Sequence, residues 1–187
     1  MLDEKSIEQS SKIVKELISE GKIVKPNPKT LEFFLKQSQK TLIVAQKLLE
    51  IQVKEKIDAN LWIINTSYYA MFFAATSLLA HYGKKLNISQ GIHKATYHAL
   101  VYYFVKEENK LKKQLAEEYA KAVNDIEQTL QTGEDKIKEL ITNLDYELNK
   151  RKTFTYELEE DASTNKAITS LERAKSFVTE VRRMIKK

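Results

Sequence analysis

Asn65-Thr66-Ser67-Tyr68-Tyr69-Ala70-Met71-Phe72-Phe73-Ala74-Ala75-Thr76-Ser77-Leu78-Leu79-Ala80 is the most apolar and most aromatic stretch of the chain. Its apolar residues run almost all the way round a 3.6-residue period, interrupted only by Asn65, Thr66, Ser67, Thr76 and Ser77. Such a helix is buried on most of its faces and acts as the central rod of a bundle. Asp58-Ala59-Asn60 marks its start and His81-Tyr82-Gly83-Lys84-Lys85 its end, which leaves it too short and too polar at both ends for a bilayer span.

Composition points the same way. A chain of 187 residues is long enough for one good core and too short for two. Four Gly, two Pro and no Cys leave few turn formers and no disulfide or thiolate metal site, while abundant Leu, Ile, Lys, Glu and Ala favour long helices. The expected fold is all-α, an up-and-down antiparallel helical bundle. Absence of Cys fits a reducing compartment, and the N-terminus lacks the basic and apolar regions of a signal peptide, so a cytoplasmic location is expected. The net charge of +5 permits phosphate or nucleic-acid contact where basic groups cluster; charge alone favours a solvated surface of Lys–Glu pairs.

Working outward, Asp3 to Glu20 places Ile7, Ile13, Val14, Leu17 and Ile18 on one stripe before a Gly21 stop. Lys22-Ile23-Val24-Lys25-Pro26-Asn27-Pro28 reads as a connector, because its prolines cannot continue a helix. Residues 1–28 are therefore expected to form an N-terminal accessory helix and connector, and residues 29–187 the bundle. A second helix spans about Lys29 to Lys54, with Leu31, Phe34, Leu35, Leu42, Ala45, Leu48 and Leu49 inward. After the rod, Ser89 is the expected N-cap of a helix ending near Lys106; Leu111 to Lys150 is helical with an interruption at Gly133. The last helix, about Thr164 to Ile185, is expected to bury Ala167, Ile168, Leu171, Ala174, Phe177, Val178 and Val181.

The ordered set Ser67-Tyr68-Tyr69-Ala70-Met71-Phe72, Gly91-Ile92-His93-Lys94, Phe104-Val105-Lys106, Arg151-Lys152-Thr153-Phe154-Thr155-Tyr156, Ala167-Ile168 and Ala174-Lys175-Ser176-Phe177-Val178 resembles the HEPN domain, from about Thr30 to the C-terminus. It is most similar to the prokaryotic, largely archaeal branch with a Tyr-Tyr-Ala-Met helix. The resemblance implies a bundle that often pairs as a homodimer, an association with nucleotide or RNA, and a minimal nucleotidyltransferase partner in a toxin–antitoxin arrangement. Many relatives are metal-independent ribonucleases with Arg followed after four residues by His. Here the Arg is Arg151, but the His position is Tyr156, and the Tyr that partner enzymes modify in some toxins falls on Leu158.

Metal-free RNA cleavage needs a base, an acid and a cation on the phosphoryl oxygens. Imidazole, with a pKa of about 6.5, is matched to neutral pH, whereas a phenol of about 10 is not. Arg151 remains suited to a bidentate grip on phosphate, and Tyr156 to stacking or hydrogen bonding, so binding survives the change better than catalysis. Five residues apart on a helix, the two point about 140° away from each other, so a shared site requires a helix end, a bend or a partner subunit. The alternative is that Arg151 pairs with Asp145 or Glu157 while Tyr156 packs in the bundle.

His93 and Lys94 begin a helix, where free amides attract anions, although a histidine there is also an ordinary surface residue. Of Tyr68 and Tyr69, one ring is expected in the core and the other, Tyr69, at a groove or interface. The nucleotide- or RNA-binding candidates are thus Arg151, Tyr156, Tyr69, His93 and Lys94, with Arg151 and Tyr156 also the candidate catalytic pair. No metal site or cofactor is expected, and no phosphate-loop, dinucleotide or serine-hydrolase motif occurs. The competing reading is a non-catalytic bundle that masks or positions another protein.

Overall fold

The computed structural model describes residues 2–107, 113–126 and 164–186. Arg151, Tyr156, Leu158 and the Gly133 interruption lie outside the described residues. The described chain is a helical bundle: α1 (Glu4–Ser19), α2 (Thr30–Glu55), α3 (Asn60–His81), α4 (Ile92–Leu100) running into a π-helical segment (Val101–Glu107), α5 (113–126) and α6 (Thr164–Ile185). Two-residue strands, β1 (Ile23–Val24) and β2 (Lys85–Leu86), form a small antiparallel ribbon.

α3 is the rod. Ile63, Ala70, Met71, Ala74, Ala75 and Leu78 are fully buried on it, at positions pointing to several sides. α2 packs along one flank and α6 along another, with the start of α4 on a third. Near its N-terminus, Ile63 and Ile64 meet Ala45 of α2 and Ala167 and Leu171 of α6; further along, Tyr68 to Leu79 meets Leu100, Phe104, Tyr119 and Phe177. By length and composition α3 is apolar enough to cross a membrane, contrary to the expectation from its ends, yet 72% of that apolar window is buried inside the bundle. The α2–α3 turn is fixed by Gln52, whose carbonyl accepts from the Ala59 N–H at 2.7 Å and whose amide donates to Asn60 Oδ1 at 2.8 Å.

α1 lies against α4 and the π-helical segment, and its Val14 together with Leu2 enters the main core cluster, so the expected accessory helix shares the core. The connector expected at Lys22–Pro28 holds β1, which pairs Ile23 with Leu86 and Val24 with Lys85. α4 is preceded by Gly91 at φ +67°, not capped by Ser89; a left-handed residue there makes glycine the relaxed choice. Ile168 is 40% exposed, against expectation. At 100° per residue it falls off the stripe formed by Ala167, Leu171, Ala174 and Val178. Arg173 of α6 donates to Asp125 of α5 at 2.8 Å, tying these two helices at their rim.

The α1–α4 contact contains one titrating group, the His98 imidazole, beside the Ser10 hydroxyl. The Ser10 hydroxyl donates to the Ser6 carbonyl at 2.9 Å, so the 3.0 Å contact to His98 places the proton on the imidazole Nδ1. Burial, and then the charge of Lys94, pull the His98 pKa below its ordinary value. The folded state therefore binds fewer protons than the unfolded chain: stability is full above the unfolded value of about 6.5 and falls as pH drops through the window below it. A thermal-unfolding series is expected to show Tm declining on acidification through this window, with a shallower decline in His98→Gln; parallel profiles for the two proteins would contradict the assignment.

Candidate functional site

One residue of advance turns a helix by 100°, and this separates Tyr68 from Tyr69. Tyr68 is 2% exposed and Tyr69 39%. Tyr68 turns inward against Tyr119, with ring centroids 6.4 Å apart. Tyr119 is fully buried, and burial pushes its phenol well above the ordinary value, so it carries no charge at physiological pH. Tyr69 meets Tyr68 edge-on at 5.4 Å and lies 6.0 Å from Phe73, which in turn stacks on Phe34 of α2 at 5.9 Å. Phe33, more than half exposed, continues the row edge-on to Phe34. The result is an aromatic shelf crossing from α3 to α2, with Tyr69 at one end.

His93 closes that end. Its ring lies 4.6 Å from Phe72, 5.4 Å from Tyr68 and 6.1 Å from Tyr69, each edge-on. The Gly91 carbonyl accepts from the Ala95 N–H at 3.0 Å, which begins the α4 hydrogen-bond ladder and leaves the amides of Ile92, His93 and Lys94 without an intrahelical acceptor. No acidic residue occupies this first turn and no side chain caps it, while Lys94 is exposed and adds a cation. The first-turn amides of a helix and an ammonium suit an anion; the Tyr69 face suits a planar ring.

The fold brings Tyr69 and His93 together, with Lys94 next to His93 on the same first turn of α4. Phe33 and Phe73 were not among the sequence candidates. Phe33 stands off the inward stripe of α2, and its pairing with Phe34 and Phe73 depends on the α2–α3 crossing, which spacing along one helix does not reveal. A concavity of about 490 Å³ between α5 and α6 is lined by Leu115, Glu172, Lys175, Ser176 and neighbours and contains none of the candidates. Tyr69 is 39% exposed at the end of the aromatic row, and among the described residues no group of His, Asp and Glu converges to hold a metal ion.

Adjacent residues with opposite burial should part company on truncation. Tyr68→Ala is expected to cost about 3–5 kcal/mol in urea denaturation, as for a buried aromatic, and Tyr69→Ala under about 1.5 kcal/mol. Equal losses would mean that Tyr69 belongs to the core and offers no free face.

No known protein-family model matches this chain, and no curated protein is similar to it.

Proposed function

We propose that the chain is a HEPN-like helical module that binds nucleotide or RNA through the Tyr69–His93–Lys94 shelf, acting as a homodimer with a minimal nucleotidyltransferase partner. The observation that carries this reading is the half-exposed Tyr69 ring beside the uncapped, acid-free start of α4. A base stacks on Tyr69, and its phosphate meets the α4 amides and Lys94. Arg151 and Tyr156 supply the second phosphate grip and a second ring, as the family resemblance implies for these positions. Ribonuclease activity is the conditional part, because Tyr156 replaces the histidine that performs proton transfer in HEPN nucleases, and a residual activity would put that step on Tyr156 or His93.

A second reading, a bundle that works by protein contact alone, draws on a different observation. Val53 is 72% exposed, Trp62 62%, Phe33 54% and Ile57 51%, all on α2, α3 or the turn between them. Apolar side chains concentrated on one hairpin suit a helical partner.

Titration of labelled ATP and a labelled short RNA decides between the two. The first reading expects binding by wild type and a loss of about fivefold to hundredfold in Tyr69→Ala, the worth of one stacked base. Cleavage that persists in EDTA and disappears in Arg151→Ala would add the enzymatic step. No affinity for either ligand, together with self-association abolished by Trp62→Glu, would overturn it in favour of the second.

A further inference from the structure

The outward side of α3 continues onto α2. At 100° per residue, Phe33, Val44 and Ile51 fall within about 20° of one line on α2, and Trp62, Tyr69 and Phe73 within about 40° of one line on α3. Phe33 is 54% exposed, Val44 48%, Ile51 45% and Trp62 62%. The ring row Tyr69–Phe73–Phe34–Phe33 bridges the two lines, with centroids 5.1 to 6.0 Å apart, so they form one apolar strip along the seam between the helices. From Phe33 to Ile51 the strip runs about 27 Å, at 1.5 Å per residue.

The two edges of the strip carry charge of one sign. Along α2, Lys36, Lys40 and Lys47 fall next to the line of Phe33, and Glu32 and Glu50 lie beyond them, further round the helix. Lys47 is held by Glu50 at 2.5 Å, whereas among the described residues Lys36 and Lys40 make no ion pair. The other edge receives no carboxylate from α3 or α4, because there is no acidic residue between Asp58 and Glu107. His93 lies there, 6.1 Å from Tyr69, followed by the exposed Lys94. At the hairpin turn the strip ends in carboxylates: Glu55 pairs with Lys54 at 3.0 Å, and Asp58 accepts from the Asn60 N–H at 2.9 Å.

We propose that this strip is the docking site for an amphipathic α-helix of a partner protein, one whose apolar stripe is flanked by Asp and Glu. The inference makes the protein-contact reading specific and does not rest on nucleotide binding. A seam between two antiparallel helices, with anchors at helical repeats of four, seven and eleven residues, is shaped for a third helix of about 18 residues, the number that spans about 27 Å. Trp62 and Phe33 are the anchors, each more than half exposed. Acidic flanks follow from the edges, where Lys36 and Lys40 gain the partners they lack. A second copy fits this strip poorly, because a two-fold interface sets the strip against itself and both of its edges are positive. Nucleic acid is disfavoured by the middle of the strip, where Val44, Leu48 and Ile51 present aliphatic groups instead of rings or cations. A membrane surface is opposed by the Glu55 and Asp58 carboxylates at the turn, beside Ile57.

The test selects on the full chain from a displayed library of 18-residue sequences, with leucine fixed at helical spacings of three and four and Glu, Lys, Gln or Ser drawn equally elsewhere. Wild type is expected to enrich Glu over Lys beside the leucines by about fivefold or more, the worth of two surface ion pairs. Lys36→Glu/Lys40→Glu should reverse that preference. Trp62 is the single tryptophan of the chain, so its emission should shift to the blue and saturate as a selected peptide is added. Trp62→Glu should bind the peptide about thirtyfold or more weakly, as for the loss of an aromatic anchor. Its Tm should stay near that of wild type, because the side chain is 62% exposed, so weaker binding will not be a folding defect. No enriched sequence, Lys enriched as strongly as Glu, or a selected peptide that leaves the Trp62 emission unchanged would overturn the proposal. So would a blue shift on phosphatidylserine vesicles without peptide binding. Self-association of the chain that Trp62→Glu abolishes would overturn it in favour of a second copy and leave the protein-contact reading standing; if neither peptide nor second copy binds, that reading falls with it.

Discussion

α3 has almost no polar face to give to water, and the rest of the fold answers that constraint. Between Ile63 and Leu79, side chains on all but one stripe of the helix are buried. A helix of this kind cannot be covered by one neighbour, since each partner shields only its own sector of the cylinder. α2, α4 and α6 take different sectors, and α5 reaches the same core through Leu115, Ala116 and Tyr119. Small residues at Ala70, Ala74 and Ala75 let neighbouring helices approach closely, while Met71, Phe72 and Leu78 fill the spaces between.

The one sector of α3 left open is where the candidate chemistry gathers. Trp62 and Tyr69 lie seven residues apart and so on one face, and Phe73 lies one turn beyond Tyr69. Tyr68 anchors the helix in the core while its neighbour Tyr69 keeps an exposed ring. The ring of His93 is held against the same turn by Phe72, so the start of α4 cannot move without disturbing the core.

Elements governed by local periodicity were legible in the sequence. The limits of α3, marked by Asn60 and His81, and of α6, marked by Thr164 and Ile185, follow from apolar spacing and from the polar residues that interrupt it. What escaped depended on contacts between distant residues. The ribbon pairs positions about sixty residues apart, and Lys22-Ile23-Val24-Lys25 carries no strand alternation long enough to announce it. The Ser89 cap was misplaced because Gly91 adopts a left-handed backbone that starts α4 two residues later. Of the candidate site, one buried and one exposed ring at Tyr68 and Tyr69 were legible from the preference of polar-tipped aromatic rings for boundaries, whereas the shelf joining Tyr69 to Phe34 required the α2–α3 crossing, and Arg151 and Tyr156 lie outside the described residues.

Native-state hydrogen exchange tests the central role of α3 most directly. If the bundle is organised around this helix, amides from Ile63 to Leu79 can open only when the whole domain unfolds, and their exchange free energies should equal the global unfolding value from denaturant titration. Those of α1, held by one buried stripe, should fall below it. Exchange from α3 as fast as from α1 would show that the rod is not what the other helices depend on.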